Sequence, residues 1–179
     1  MKRSQVVFIS GLALSIPVLG LSADASAQSV SDPNLSVTTF LSGLAQPTGF
    51  AFTGSGEGFA IEKASGQVRR FSGGVLAGTS ALDLAVNSNN ERGLLGIALD
   101  PNFSSNGYTH LYYSASTTTS DTTSAGGWLD NRVARYQWNG STLTDTGVSR
   151  TFGSSLDGQT NGPNHNGGPL VFGADGKLY

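Results

Sequence analysis

The chain has 179 residues, no cysteine, 25 glycines and a formal net charge of −2. The absence of thiols excludes disulfides and thiolate metal sites, and the mild acidity gives no electrostatic footprint for nucleic acid or an anionic membrane surface. The length suits one domain resting on an ordinary packed core.

Residues 1–27 read as an export signal. Lys2 and Arg3 open it, Val6 to Leu21 is an apolar stretch broken by Pro17, and Ala25-Ser26-Ala27 supplies small residues before a cut at Gln28. The stretch is too short and too broken for a comfortable membrane span; a signal anchor is the alternative. No cysteine follows the cut, so a lipidated N-terminal cysteine is excluded. The expectation is a secreted or periplasmic protein with no membrane span after cleavage. A short lead, 28–36, precedes the folded part, 37–179.

After the signal no long amphipathic helix is evident. Short strand-like runs recur instead. Val37–Leu41, Gly49–Phe52, Gly58–Ile61 and Gln67–Phe71 form a first group, and Leu94–Leu99, Thr109–Ser114, Arg132–Trp138 and Val148–Phe152 a second. Leu170–Phe172 and Lys177–Tyr179 begin a third. Gly54-Ser55-Gly56, Asn106-Gly107, Asn139-Gly140 and Asp175-Gly176 are turn signals between them. Ser116–Trp128 and Ser154–Asn166 read as long polar connections.

The groups repeat. An apolar triplet, a glycine-containing turn and a second apolar or aromatic run occur at Phe50-Ala51-Phe52, Ile97-Ala98-Leu99 and Leu170-Val171-Phe172. The first two triplets start 47 residues apart and the next two 73 apart, the longer interval being filled by the polar connections. The first interval is that of a propeller blade. The expected fold is therefore all-β, a β-propeller of which about two blades and the start of a third are present; a β-sandwich is the alternative.

Three residues stand out as candidates for chemistry. His165 lies in Asn164-His165-Asn166-Gly167-Gly168, a polar, glycine-rich loop just before a strand. A neutral imidazole there can accept a proton near physiological pH, the flanking Asn164 and Asn166 offer hydrogen bonds to a polar ligand or to the loop itself, and loops before strands favour function. Asn164 is taken with it. Glu91, in Glu91-Arg92-Gly93-Leu94-Leu95-Gly96, leads from a polar loop into a strand one repeat earlier, so Glu91 and His165 could converge at one end of a propeller channel. The alternatives are a histidine bonding only its own loop and a solvated Glu91–Arg92 pair. His110, within Tyr108–Tyr113, reads as packing. No phosphate loop, nucleophile elbow, zinc helix or EF-hand spacing is present.

These passages resemble the glucose/sorbosone dehydrogenase family of soluble, pyrroloquinoline quinone (PQQ)-dependent aldose sugar dehydrogenases. The likeness runs through Leu44–Gly49, Ile61–Val68, Glu91–Phe103 and Asn164–Tyr179, the last two being the specific ones. It implies a six-bladed β-propeller, of which this chain is an N-terminal portion, and oxidation of an aldose at its anomeric carbon to a lactone. By that likeness His165 is the general base, Glu91 and Asn164 are substrate-binding, PQQ and calcium are cofactors, and an external electron acceptor is a partner. Glu91 falls where glucose-oxidising members carry glutamine, and Asn164 where they carry aspartate. The calcium ligands and most quinone contacts fall beyond the position matching Tyr179, so no metal ligand is assigned and the 179-residue chain is expected to be inactive alone. The other readings are a non-catalytic propeller that binds a protein or glycan and a calcium-dependent lactonase-like propeller.

Overall fold

The computed structural model describes residues 31–152 and 164–179. The expected signal, 1–27, and most of the polar connection after Phe152 lie outside them. The chain divides into two compact units at Thr38/Thr39. In the first, the described residues form a turn in which Asp32 Oδ1 accepts the Asn34 N–H at 2.9 Å.

The second unit contains two four-stranded antiparallel sheets, each a meander of consecutive strands. The first sheet is β1 (Pro47–Gly54), β2 (Glu57–Glu62), β3 (Gln67–Ser72) and β4 (Val75–Asp83). The second is β5 (Leu94–Leu99), β6 (Tyr108–Ser116), β7 (Trp128–Trp138) and β8 (Leu143–Phe152). A third repeat begins with the Phe172↔Leu178 bridge, flanked by reciprocal backbone bonds between Val171 and Tyr179 at 2.9 and 2.8 Å. Neither sheet contains the crossover of a Greek-key sandwich. These are two blades and the start of a third, the architecture of a β-propeller.

Local chemistry explains the turns. Gly73 and Gly74 link β3 to β4 with φ of 57° and 80°, the two consecutive positive values of a type I′ hairpin turn. Asn106-Gly107 is not the hairpin turn its composition suggests. It ends a single helical turn, Phe103–Asn106, and Gly107 at φ 67° donates its N–H back to the Phe103 carbonyl.

The core lies between the blades. Phe59, Ile61 and Val68 of the first sheet pack with Leu94, Ile97, Leu111 and Ala134 of the second. The Phe59 ring meets Trp138 edge-on at 5.1 Å. The inner strands approach closely: the Thr48 hydroxyl donates to the Leu94 carbonyl at 2.7 Å.

One expected strand needs correction, and one strand was not foreseen. Val37–Leu41 is not a strand, since its backbone joins no ladder. Phe40 instead packs by its side chain, with its ring 6.0 Å from Phe52 and 5.8 Å from Phe71. Conversely, Val75–Asp83 forms β4 although Ala77-Gly78-Thr79-Ser80 has weak strand character; pairing with β3 supplies what local preference lacks. The outer face of the first sheet keeps Phe50 and Phe52 exposed beside a groove of about 610 Å³. Among the described residues no helix is long and apolar enough to cross a membrane.

Candidate functional site

The site is built where each repeat enters its inner strand. Among the described residues only three non-glycine positions have positive φ: Gln46 at 50°, Asn90 at 51° and His165 at 59°. Each lies in the loop that feeds the first strand of a repeat. The left-handed conformation costs an L-residue roughly 1–2 kcal/mol, and Asn and His are among the side chains that tolerate it best. The kink that presents His165 is thus a repeated backbone feature. Asn90, rather than Glu91, occupies the equivalent place one repeat earlier.

The structure brings all three candidate residues together. Glu91 Oε2 accepts the His165 backbone N–H at 2.5 Å. Asn90 Nδ2 donates to Asn164 Oδ1. The side chains of Glu91 and Asn164 therefore tie the two loops to each other, while His165 itself remains exposed. Arg92 goes the other way. It is buried, with its guanidinium 4.1 Å over the Trp128 ring, and burial holds its pKa below the usual value.

Behind His165 the loop is pinned by Asn131, Ser114 and Tyr112, which carried no sequence signal. Asn166 is buried; its Oδ1 accepts from Asn131 Nδ2 at a long 3.4 Å, and Asn131 Oδ1 accepts the Ser114 hydroxyl at 2.7 Å. The Tyr112 hydroxyl donates to the Asn166 carbonyl, and burial raises the Tyr112 pKa. Gly167, at φ 81°, lies so close to Tyr112 that a Cβ would stand 2.9 Å from the hydroxyl. On the opposite side the Lys63 ammonium donates to the Asn90 carbonyl at 2.5 Å. Only the asparagine-rich run 87–90 hinted at a tight loop here.

Among the described residues no three carboxylate or imidazole groups gather into a possible metal cage. The site offers an exposed imidazole, a carboxylate one hydrogen bond from its backbone, and open space beside Gly168. That arrangement can accept a proton from a small polar ligand and leaves room for a planar group.

His110 is the contrasting histidine. It sits on β6, half-buried, its ring 5.3 Å from Phe172 and its buried Nδ1 without a hydrogen-bond partner. Burial lowers its pKa; Asp100 opposes that shift and Arg135 adds to it. The folded state therefore resists protonation that the unfolded chain accepts at a pKa near ~6.5. The stability linked to this group is intact above that pH and is lost as pH falls from there through the lower folded-state pKa. Urea unfolding from pH 7.5 to 5.0 should show this slope, and His110→Asn should flatten it; equal slopes in both proteins would contradict the assignment.

The Glucose / Sorbosone dehydrogenase family model matches residues 44–179. Among solved structures, an oxidoreductase (glucose dehydrogenase) of Thermus thermophilus matches at 28% identity and TM-score 0.60, over 79% of this chain and 38% of that one. The PQQ-bound aldose sugar dehydrogenase of Streptomyces coelicolor matches at 26% identity and TM-score 0.60, over 79% of this chain and 39% of that one. The soluble aldose sugar dehydrogenase of Escherichia coli, in its apo form, shares the fold at 24% identity and TM-score 0.55, over 75% and 37%. This chain thus spans about two fifths of the length of the structures it matches.

Proposed function

The chain belongs to the glucose/sorbosone dehydrogenase family, and from that membership and the loop geometry we propose that its protein is an oxidoreductase that converts an aldose to the lactone at the anomeric carbon. The observation that carries this reading is the exposed His165 on a left-handed kink tied to the carboxylate of Glu91. His165 takes the proton of the anomeric hydroxyl on its imidazole. PQQ, named in the Streptomyces coelicolor structure, supplies the hydride acceptor when bound. Gly168, with open space where a side chain would stand, leaves room on this loop for a flat ring system.

In this reading Glu91 and Asn164 act chiefly by holding His165 in place, with their outward atoms available to sugar hydroxyls. Calcium and the basic partners of an acidic quinone would come from elsewhere in a six-bladed propeller, and an external acceptor would reoxidise the cofactor. General-base assistance is typically worth about 10²–10⁴ in rate. In the full-length protein reconstituted with PQQ, calcium and an aldose, His165→Ala should lower kcat by about that factor while quinone binding, read by absorbance, persists. The 179-residue chain alone should show no turnover. Undiminished turnover by His165→Ala would sink the assignment of the base and favour a propeller that only binds its ligand.

Export is part of the same reading. Residues 1–27 would be removed on the way to the periplasm or the exterior, leaving Gln28 first. N-terminal sequencing of protein recovered from the periplasmic or culture fraction should begin at Gln28; an intact Met1 in the cytoplasmic fraction would contradict it.

A further inference from the structure

Lys63 has no place in the chemistry just described, yet it contacts the entry loops of both the first and the second repeat. Its backbone N–H donates to the Gln46 carbonyl at 3.0 Å, and its carbonyl accepts the Leu94 N–H at 2.9 Å. Its side chain passes over Gly93, where a Cβ would stand 2.7 Å from Lys63 Cγ and 2.4 Å from its carbonyl oxygen. The glycine, at φ 144°, is what lets the lysine stem lie there. The stem ends with Nζ 2.5 Å from the Asn90 carbonyl.

That carbonyl belongs to the Asn90–Glu91 peptide. Asn90 is left-handed, so the orientation of this peptide decides where the next side chain, Glu91, points. Glu91 then holds the His165 N–H, and the Asn90 amide holds Asn164. A charged donor on a carbonyl is among the stronger hydrogen bonds, and here it acts on the peptide that both ties depend on. We propose that Lys63 is a positioning residue for His165, acting through the Asn90–Glu91 peptide. The ammonium of one blade thereby sets a loop of the next, which sets the loop of the third.

The inference rests on the proposed role of His165 for its catalytic consequence, but not for its structural one. The test uses the full-length protein and two readouts. Lys63→Met keeps the stem over Gly93 and removes the ammonium; Lys63→Arg keeps a cation. Hydrogen exchange in the 164–168 segment should speed up about tenfold in Lys63→Met, with the global unfolding midpoint little changed, and Lys63→Arg should restore most of the protection. With PQQ and an aldose, Lys63→Met should lower kcat more than it raises KM, and arginine should recover it. Unchanged exchange in 164–168 would overturn the proposal whatever the turnover, and so would a rate loss that arginine fails to rescue. If Lys63→Met lowers the global midpoint, its exchange is compared segment by segment: exchange in 164–168 accelerated no more than in the rest of the blade would overturn the proposal. If His165→Ala keeps full activity, the functional reading fails while the exchange result still decides the role of Lys63.

Discussion

The backbone of Lys63 fixes how the second blade sits on the first. Its N–H is held by the loop that enters β1 and its carbonyl by the first residue of β5. Because these are backbone groups, the join depends on geometry, and the geometry depends on the missing Cβ of Gly93. Thr48 reinforces it by donating to the Leu94 carbonyl at 2.7 Å. With the inner strands set this way, Phe59, Ile61 and Val68 face Leu94, Ile97 and Leu111, and the core between blades can close. The same join brings the entry loops to one end of the assembly.

At that end a conformational cost is balanced by a specific contact. A left-handed histidine gives up roughly 1–2 kcal/mol. A hydrogen bond to a charged group contributes about 1.5–3 kcal/mol, so the Glu91 carboxylate on the His165 N–H can offset the strain. The bond uses the backbone of His165 and leaves its imidazole exposed to a ligand. Asn166 anchors the following residue in a buried polar chain through Asn131 and Ser114. The loop is therefore held from both sides of the residue it presents, which suits the proton-accepting role proposed for His165.

The fold was legible where local pattern and tertiary pairing agree. The apolar run Leu94–Leu99 is β5 to the residue, because it is buried and bounded by a polar loop and a turn. Val75–Asp83 was not legible, because its strand state comes from β3 and not from its own side chains. Val37–Leu41 has the β-branched and aromatic residues of a strand, but its backbone joins no ladder. That the loops carrying Glu91 and His165 would meet could be read from the equivalent places of the two loops in the repeat, although Asn90 and not Glu91 is the residue equivalent to His165. That they would meet through a backbone N–H could not, since it depends on the sign of φ at residue 165. Lys63, Asn131 and Tyr112 act through partners 27, 35 and 54 residues away, and no local pattern marks such contacts.

The central claim is that the carboxylate of Glu91 holds His165 by its backbone. Scalar coupling across a hydrogen bond, measured by NMR on isotopically labelled protein, reports this directly. A through-bond correlation from the His165 amide nitrogen to the Glu91 side-chain carboxyl carbon is the predicted result, and it should vanish in Glu91→Ala. A His165 amide that exchanges at the rate of an open loop, with no such correlation in the unsubstituted protein, would contradict the account.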